Sequence, residues 1–131
     1  MNDLESLYLV KSMYDIQNNF QNISLLFYAL LIFMVLDYTT GVLVAIVHKK
    51  IDSKIGFVGI LKKFFILLIF AMGLTIDTLI IGQGQMVTLV IVSFYIANEG
   101  FSILENAEKL NIPLPQKLIE ILEQIKNQKK P

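Results

Sequence analysis

The chain has 131 residues, of which 55% are hydrophobic and only 17% are charged. Ordinary soluble domains are about 45–50% apolar and about 25% charged. Eleven basic and eleven acidic side chains give a net charge of zero, so nothing indicates a nucleic-acid partner. The sequence contains no cysteine, which excludes disulfides and thiol chemistry.

The first 22 residues begin with a helix-start pattern. Asn2 followed three residues later by Glu5 is typical of a capping box. The apolar residues of this segment cover a broad arc rather than one clean stripe. We therefore predict that residues 1–22 form an amphipathic N-terminal helix, an interfacial segment at a membrane surface.

Three apolar blocks follow, and each is long enough to cross a bilayer. A spanning helix needs roughly 20 mostly apolar residues, and the blocks cover residues 23–47, 64–82 and 86–104. A soluble three-helix bundle would show a polar residue at every third or fourth position, but "KKFFILLIFAMGLTIDTLIIG" shows no such face. We predict an all-α integral membrane protein whose three-helix transmembrane domain covers residues 23–104.

Lysine placement predicts the orientation of the spans. All lysines but Lys11 lie in two segments, the predicted loop 48–63 and the tail 105–131. Positively charged loops stay in the cytoplasm, so the N-terminus is predicted outside and the C-terminus in the cytoplasm. We also predict that four loop lysines anchor the chain at an anionic membrane surface, with a purely topogenic role as the alternative. These are Lys49, Lys50, Lys62 and Lys63.

The cytoplasmic tail is predicted to contain an amphipathic helix. Pro113 and Pro115 end the preceding helix, and Pro115 suits the first turn of the next. The apolar residues that follow have the spacing of a single helical stripe: Leu118, Ile121, Leu122 and Ile125. This stripe has two candidate partners, the cytoplasmic membrane surface and the tail of a neighbouring copy. A docked terminal helix without a regulatory role is the third interpretation.

Each predicted span carries one carboxylate and no lysine or arginine. The acids are Asp37, Asp77 and Glu99. On insertion scales a central acid costs roughly 2.5–3.5 kcal/mol, and intramembrane acids usually face a bundle interior or a water-filled cavity. We therefore expect Asp37 to lack a partner within one copy and to find its partners in other copies. Hydrogen bonding within the monomer is the alternative role of such an acid.

Small and polar residues accompany these acids on the predicted helices. Gly41 and Ala45 form a small-xxx-small pair, which allows another helix to approach closely. We predict that eight residues form the pore or oligomerisation surface: Asp37, Thr40, Gly41, Ala45, Asp77, Asn98, Glu99 and Ser102. The sequence shows no histidine cluster, nucleophile motif or phosphate loop. We predict no enzyme activity and no catalytic, cofactor-binding or metal-binding residue.

An ordered set of these residues carries a family resemblance. The set consists of Asp37, Gly41 and Ala45 in "DYTTGVLVA"; Ser53, Gly56, Gly59, Ile60, Lys62 and Lys63 in "SKIGFVGILKK"; Asp77; and Asn98, Glu99, Ser102, Ile103, Glu105, Asn106, Pro113 and Pro115 in "NEGFSILENAEKLNIPLP". With these residues the chain resembles the phage lysis and toxin-secretion holins of Gram-positive bacteria and their phages, over about residues 35–122. Two positions depart from the family pattern, with Asn111 where glycine is common and Lys62 where arginine is frequent.

The resemblance implies a protein that accumulates in the bacterial cytoplasmic membrane and oligomerises into holes. The holes would release a cell-wall hydrolase (endolysin) or a toxin and trigger host cell lysis, without a need for direct contact with that cargo. The residues alone support an oligomer with a polar intramembrane face. They leave open a small ion channel or transporter subunit, and a membrane scaffold without a pore.

Overall fold

The computed structural model describes the backbone of residues 2–127 and their side chains, except those of residues 16, 19, 20, 122 and 125–127. It contains four α-helices: α1 (Asp3–Val47), α2 (Ser53–Thr75), α3 (Met86–Lys109) and α4 (Gln116–Asn127). A short π-helix, Ile76–Ile81, continues α2. No strand occurs in residues 2–127, and the predicted all-α class is confirmed.

Helix α1 is one continuous helix of 45 residues. The predicted capping box is present, because the Asn2 N–H donates to Glu5 Oε2 at 3.2 Å and the Asn2 side chain accepts from backbone N–H groups. The predicted N-terminal segment is therefore not a separate helix but the first half of α1. The part of α1 that is long and apolar enough to cross a membrane is Gln21–Val47. The interfacial location of the preceding residues stays a prediction, and Met1 lies outside the described residues.

Helix α2 begins eleven residues earlier than the predicted span, at Ser53 rather than at 64. Asp52 caps it by accepting the Lys54 N–H at 2.8 Å. The prediction of a loop over residues 48–63 is therefore wrong beyond residue 52. The two lysines at positions 62 and 63 interrupt the apolar run but not the helix, because lysine is a good helix former. Both belong to the candidate span Ser53–Ile81.

Helix α3 begins at Met86 as predicted and continues past residue 104 to Lys109. Asn111 then adopts a left-handed conformation with φ of 56°, which explains how asparagine serves where glycine is common. The tail helix begins after Pro115, whose carbonyl accepts the Leu118 N–H at 3.0 Å. The side chains of Leu122 and Ile125, and residues 128–131 with the last two lysines, lie outside the described residues.

Helix α3 occupies the centre of the bundle. Both α1 and α2 pack against it, whereas the backbones of α1 and α2 approach each other at few positions. The apolar core is small and consists of Leu30, Met34, Ile66, Phe70 and Val92. Most large apolar side chains face outward, as on Leu25, Val35, Leu68 and Val90. Three helices are long and apolar enough to cross a membrane, so this outward apolar surface indicates lipid rather than water as the surroundings.

Candidate functional site

Three helices bring a charged side chain to the same level of the bundle. Asp37 lies ten residues before the end of α1, Lys63 ten residues after the start of α2, and Glu99 ten residues before the end of α3. At 1.5 Å per residue, each lies about 15 Å along its helix from the end that carries the first loop or the tail. The level is well inside the candidate spans.

These side chains form an ion cluster, which we call the triad (Asp37, Lys63 and Glu99). The Lys63 ammonium donates to Asp37 Oδ2 at 2.7 Å and also to Glu99 Oε2. The expectation that Asp37 has no cationic partner within one copy is therefore wrong. The physical reason is that Lys63 lies on α2 rather than in the predicted loop, and the helix carries its ammonium to the two acids. The structure thus directs Lys63 inward rather than to the membrane surface.

Asn106 and Thr40 support the triad from the loop side. The Asn106 amide donates to Thr40 Oγ1 at 2.9 Å and, more weakly, to the backbone and side-chain oxygens of Asp37 at 3.4 Å. Thr40 Oγ1 in turn donates to the Asp37 carbonyl at 3.0 Å. Glu99 and Asn106 are both buried. These bonds fix α1 against α3 and hold the Asp37 carboxylate toward α2.

A groove of about 1090 Å³ opens between α1 and α2 beside the triad. The groove exists because α1 and α2 both pack on α3 while their own backbones approach each other at few positions. Six of the eight residues predicted to form the pore or oligomerisation surface line it: Asp37, Gly41, Ala45, Asn98, Glu99 and Ser102. Lys50, Lys62 and Lys63 line it as well. Thr40 adjoins the groove through its bond to Asn106.

The glycines of the groove have few neighbours. A Cβ atom built on Gly59 would meet nothing within 4 Å, and one on Gly41 would meet only the Asn106 amide at 3.8 Å. One on Gly56 would touch the Tyr38 hydroxyl at 3.4 Å. The small side chains are therefore not required by tight packing inside this copy. They leave the groove wide and its walls accessible.

Asp77 lies apart from the groove, at the opposite end of the bundle. Its carboxylate accepts the Val87 N–H at 3.1 Å and both the N–H and the hydroxyl of Thr88 at 2.7 Å. These donors belong to the first turn of α3, whose own preceding residue Gln85 provides no side-chain cap. Asp77 therefore caps α3 from the π-helix and is satisfied within the chain. The pore role predicted for Asp77 stays a prediction.

Sequence reasoning missed three partners in these sites: Lys63 for the triad, Asn106 for its support, and Thr88 for Asp77. One signal was available, since Asp52 before Ser53 is a helix-start pattern that would have placed Lys63 on a helix. Among the described residues no buried side-chain nitrogen or oxygen lacks a hydrogen-bond partner. The same residues contain no group of three or more histidine, aspartate or glutamate side chains that could hold a metal ion.

The charges of the triad do not balance. Two carboxylates face one ammonium, so the cluster carries one surplus negative charge when all three groups are ionised. The carboxylates are mostly shielded, with 16% of the Asp37 side chain and 5% of the Glu99 side chain exposed. A surplus charge at this depth is costly unless a further cation or water reaches it. The groove provides that access.

A three-span membrane protein with a groove between its helices, apolar along most of its walls and charged at its floor, is the class that this fold defines. The chain matches the family described as "Bacteriophage holin family" over residues 16–127 and belongs to that family.

Three relatives illustrate its range. The chain is 43% identical over 100 residues to a Clostridium perfringens protein named "Uncharacterized 14.9 kDa protein in nagH 3'region", with 76% of each chain covered. It is 34% identical over 100 residues to the Bacillus subtilis protein YqxH, with 76% of this chain and 71% of the relative covered. It is 32% identical over 98 residues to a Bacillus phage phi105 protein named "Probable holin", with 75% and 72% covered. No solved structure matches the chain.

Proposed function

We propose that this protein is a holin that oligomerises in the bacterial cytoplasmic membrane and forms holes that release a cell-wall hydrolase. The family match over residues 16–127 carries the proposal, and the relative named "Probable holin" supports it. The charged floor of the groove is the physical counterpart, because a hole needs a hydrated helix face that a wholly apolar bundle does not provide. A secreted toxin is the alternative cargo, and either cargo passes without binding to this protein.

The surface that we assign to assembly is the groove face of one copy. Its polar and small residues meet in space although they come from two different spans: Asp37, Thr40, Gly41, Ala45, Asn98, Glu99 and Ser102. Asp77 is separated from this face and already has three donors. Its contribution to assembly is therefore indirect, through the position of α3.

Induced expression beside a cytoplasmic cell-wall hydrolase tests the function. Cells that express both proteins should lose turbidity abruptly and release the hydrolase, whereas cells that express either protein alone should not lyse in this way. A hydrolase without a signal sequence is required, so that the membrane protein is its only exit. Ion-selective current without release of the hydrolase would instead support a small channel. Retention of a small dye inside the expressing cells would instead support a membrane scaffold without a pore.

We further propose that the N-terminus faces outward and that the first loop and the tail face the cytoplasm. Lys49, Lys50 and Lys54 flank the start of α2, and the turn after the π-helix carries no lysine. Before any hole opens, a cysteine that replaces Gln83 should react with an impermeant maleimide added to intact cells, and one that replaces Gln128 should react only after permeabilisation. The reversed pattern would contradict this orientation. The chain has no natural cysteine, so each label reports one position.

A further inference from the structure

The surplus negative charge of the triad has a counterpart on α2. Lys62 lies on the rim of the groove, about 14 Å along α2 from Ser53. It is exposed and has no ion pair within residues 2–127, whereas its neighbour Lys63 is held by two carboxylates. Each copy therefore carries one surplus carboxylate on the groove floor and, at the same level, the ammonium of Lys62 on the groove rim. Lys50, at the loop end of the groove, is also exposed and has no ion pair within residues 2–127.

Lys62 is not part of the triad of its own copy. Successive residues of a helix point about 100° apart, so Lys62 projects sideways from α2 while Lys63 points to α3. We propose that the occupant of the groove is a second copy of this chain, whose Lys62 provides the cation that the first copy's triad lacks. The inference deepens the proposed holin function and rests on it.

The glycines of the groove leave open space at its walls for the backbone of another helix. Gly59 lies on its wall with nothing within 4 Å of a built Cβ, and Gly41 meets only one amide nitrogen. Residues without side chains allow the backbones of two helices to approach closely in a membrane. The glycines and the charges are independent observations, one of shape and one of electrostatics, and both favour a helix with a basic residue.

Repetition of this contact would link copies around a hole. If the rim of one copy meets the groove of the next, the contact is heterologous, and such contacts generate rings when the rotation closes. Each copy then places the polar floor of its groove beside the contact. The competing occupant is an anionic lipid headgroup that binds Lys62 after the side chain extends to the membrane surface.

Cysteine crosslinking between two differently tagged copies tests the contact without altering Lys62. Val58 lies one helical turn before Lys62 on the same face of α2 and is 48% exposed. Ser102 lines the groove one turn from Glu99. A copy with Val58→Cys and a copy with Ser102→Cys should form mixed disulfide-linked dimers on mild oxidation in membranes. The control replaces Val58→Cys by Val35→Cys, because Val35 is exposed on the side of α1 opposite Asp37.

The charge is tested in the same assay. Adding Lys62→Gln to the Val58→Cys copy should lower the crosslinking yield several-fold, whereas adding Lys54→Gln, which removes one lysine near the start of the same helix, should leave it unchanged. A yield no higher than that of the Val35→Cys control would overturn the proposal. So would a yield that Lys62→Gln does not change, which is the result expected if lipid binds Lys62.

Hydrolase release separates this proposal from the proposed function. If the crosslink is absent while the wild-type protein still releases the hydrolase, the contact is wrong and the holin function stands. If the crosslink forms and depends on Lys62 but no hydrolase is released, the contact stands and the holin function fails.

Discussion

The two acidic sites of the bundle differ in how their carboxylates are paired. Near the second loop, Asp77 accepts three hydrogen bonds from the first turn of α3 and is 3% exposed. About 15 Å inside the bundle from the end that carries the first loop, Asp37 and Glu99 share a single ammonium beside an open groove. All three donors to Asp77 lie within eleven residues of it along the sequence, and they satisfy its carboxylate. The triad joins three helices, and its two carboxylates share one ammonium, so one negative charge is not balanced.

This difference separates structure from function among residues of the same type. A carboxylate whose three donors, two backbone N–H groups and one hydroxyl, come from the adjoining helix stabilises the fold and has little capacity left for another partner. A carboxylate that shares its cation, and that lines a groove, can still bind a further cation or water. Under the proposed function, the acid of span two serves folding, and the acids of spans one and three serve assembly.

The largest expected effect comes from Lys63→Met. It leaves two carboxylates in the bundle without a cation, and removal of one partner of a buried pair typically costs about 3–5 kcal/mol. The folded fraction in membranes and the unfolding temperature in detergent should both fall sharply. Lys62→Met is the matched control, because Lys62 has no ion pair in the described residues, and it should leave monomer stability nearly unchanged. Equal stability of the two variants would contradict the triad.

A smaller loss is expected for Asp77→Ala. The change removes the cap of α3 and leaves the Thr88 side chain, which is 1% exposed, without its acceptor. Loss of a helix cap costs about 0.5–2 kcal/mol, so thermal unfolding in detergent should shift downward. Hydrolase release per folded molecule should stay at the wild-type value. A normal unfolding temperature combined with lost release would reverse the roles assigned to the two ends.

Thr88→Val should cost less again. It removes one of three donors to Asp77 while both backbone N–H groups remain, and a hydrogen bond contributes about 0.5–1.5 kcal/mol. The expected shift in unfolding temperature is thus about half that of Asp77→Ala. Thr78→Val serves as the control, because Thr78 is exposed and lies next to Asp77 on the π-helix. A shift as large as that of Asp77→Ala would mean that the hydroxyl, rather than the cap, dominates.

The smallest effect on stability is expected for Asp37→Asn. Glu99 still pairs with Lys63, and an asparagine oxygen can still accept from the Asn106 amide. The surplus charge disappears, however, because one carboxylate then faces one ammonium. Membrane abundance should stay close to wild type while intercopy crosslinking and hydrolase release fall. Loss of the folded protein would instead mean that Asp37 acts within the monomer.

The sequence predicts the helical class and the start of α3 well, because a long apolar run can be recognised as a spanning helix without information about its tertiary contacts. It predicts α2 poorly, since an apolar window stops at Lys62 and Lys63 although the helix does not. The positive-inside rule predicts that Lys63 lies in a cytoplasmic loop. That rule takes no account of an acidic partner 26 or 36 residues away along the chain. The relative rotation of three helices decides such a pairing. The cap that Asp77 provides likewise depends on a turn whose shape the sequence alone does not specify.

The most direct test of the account is the amount of co-expressed hydrolase released per folded membrane molecule in Asp37→Leu compared with Asp77→Asn. Asp37→Leu removes an acid that costs roughly 3 kcal/mol in a membrane, leaves Lys63 paired with Glu99, and should insert at least as well as wild type. The account predicts that it releases little or no hydrolase, while Asp77→Asn releases a normal amount per folded molecule. Normal release by Asp37→Leu at normal abundance would contradict the claim that the groove acids serve the assembly of holes.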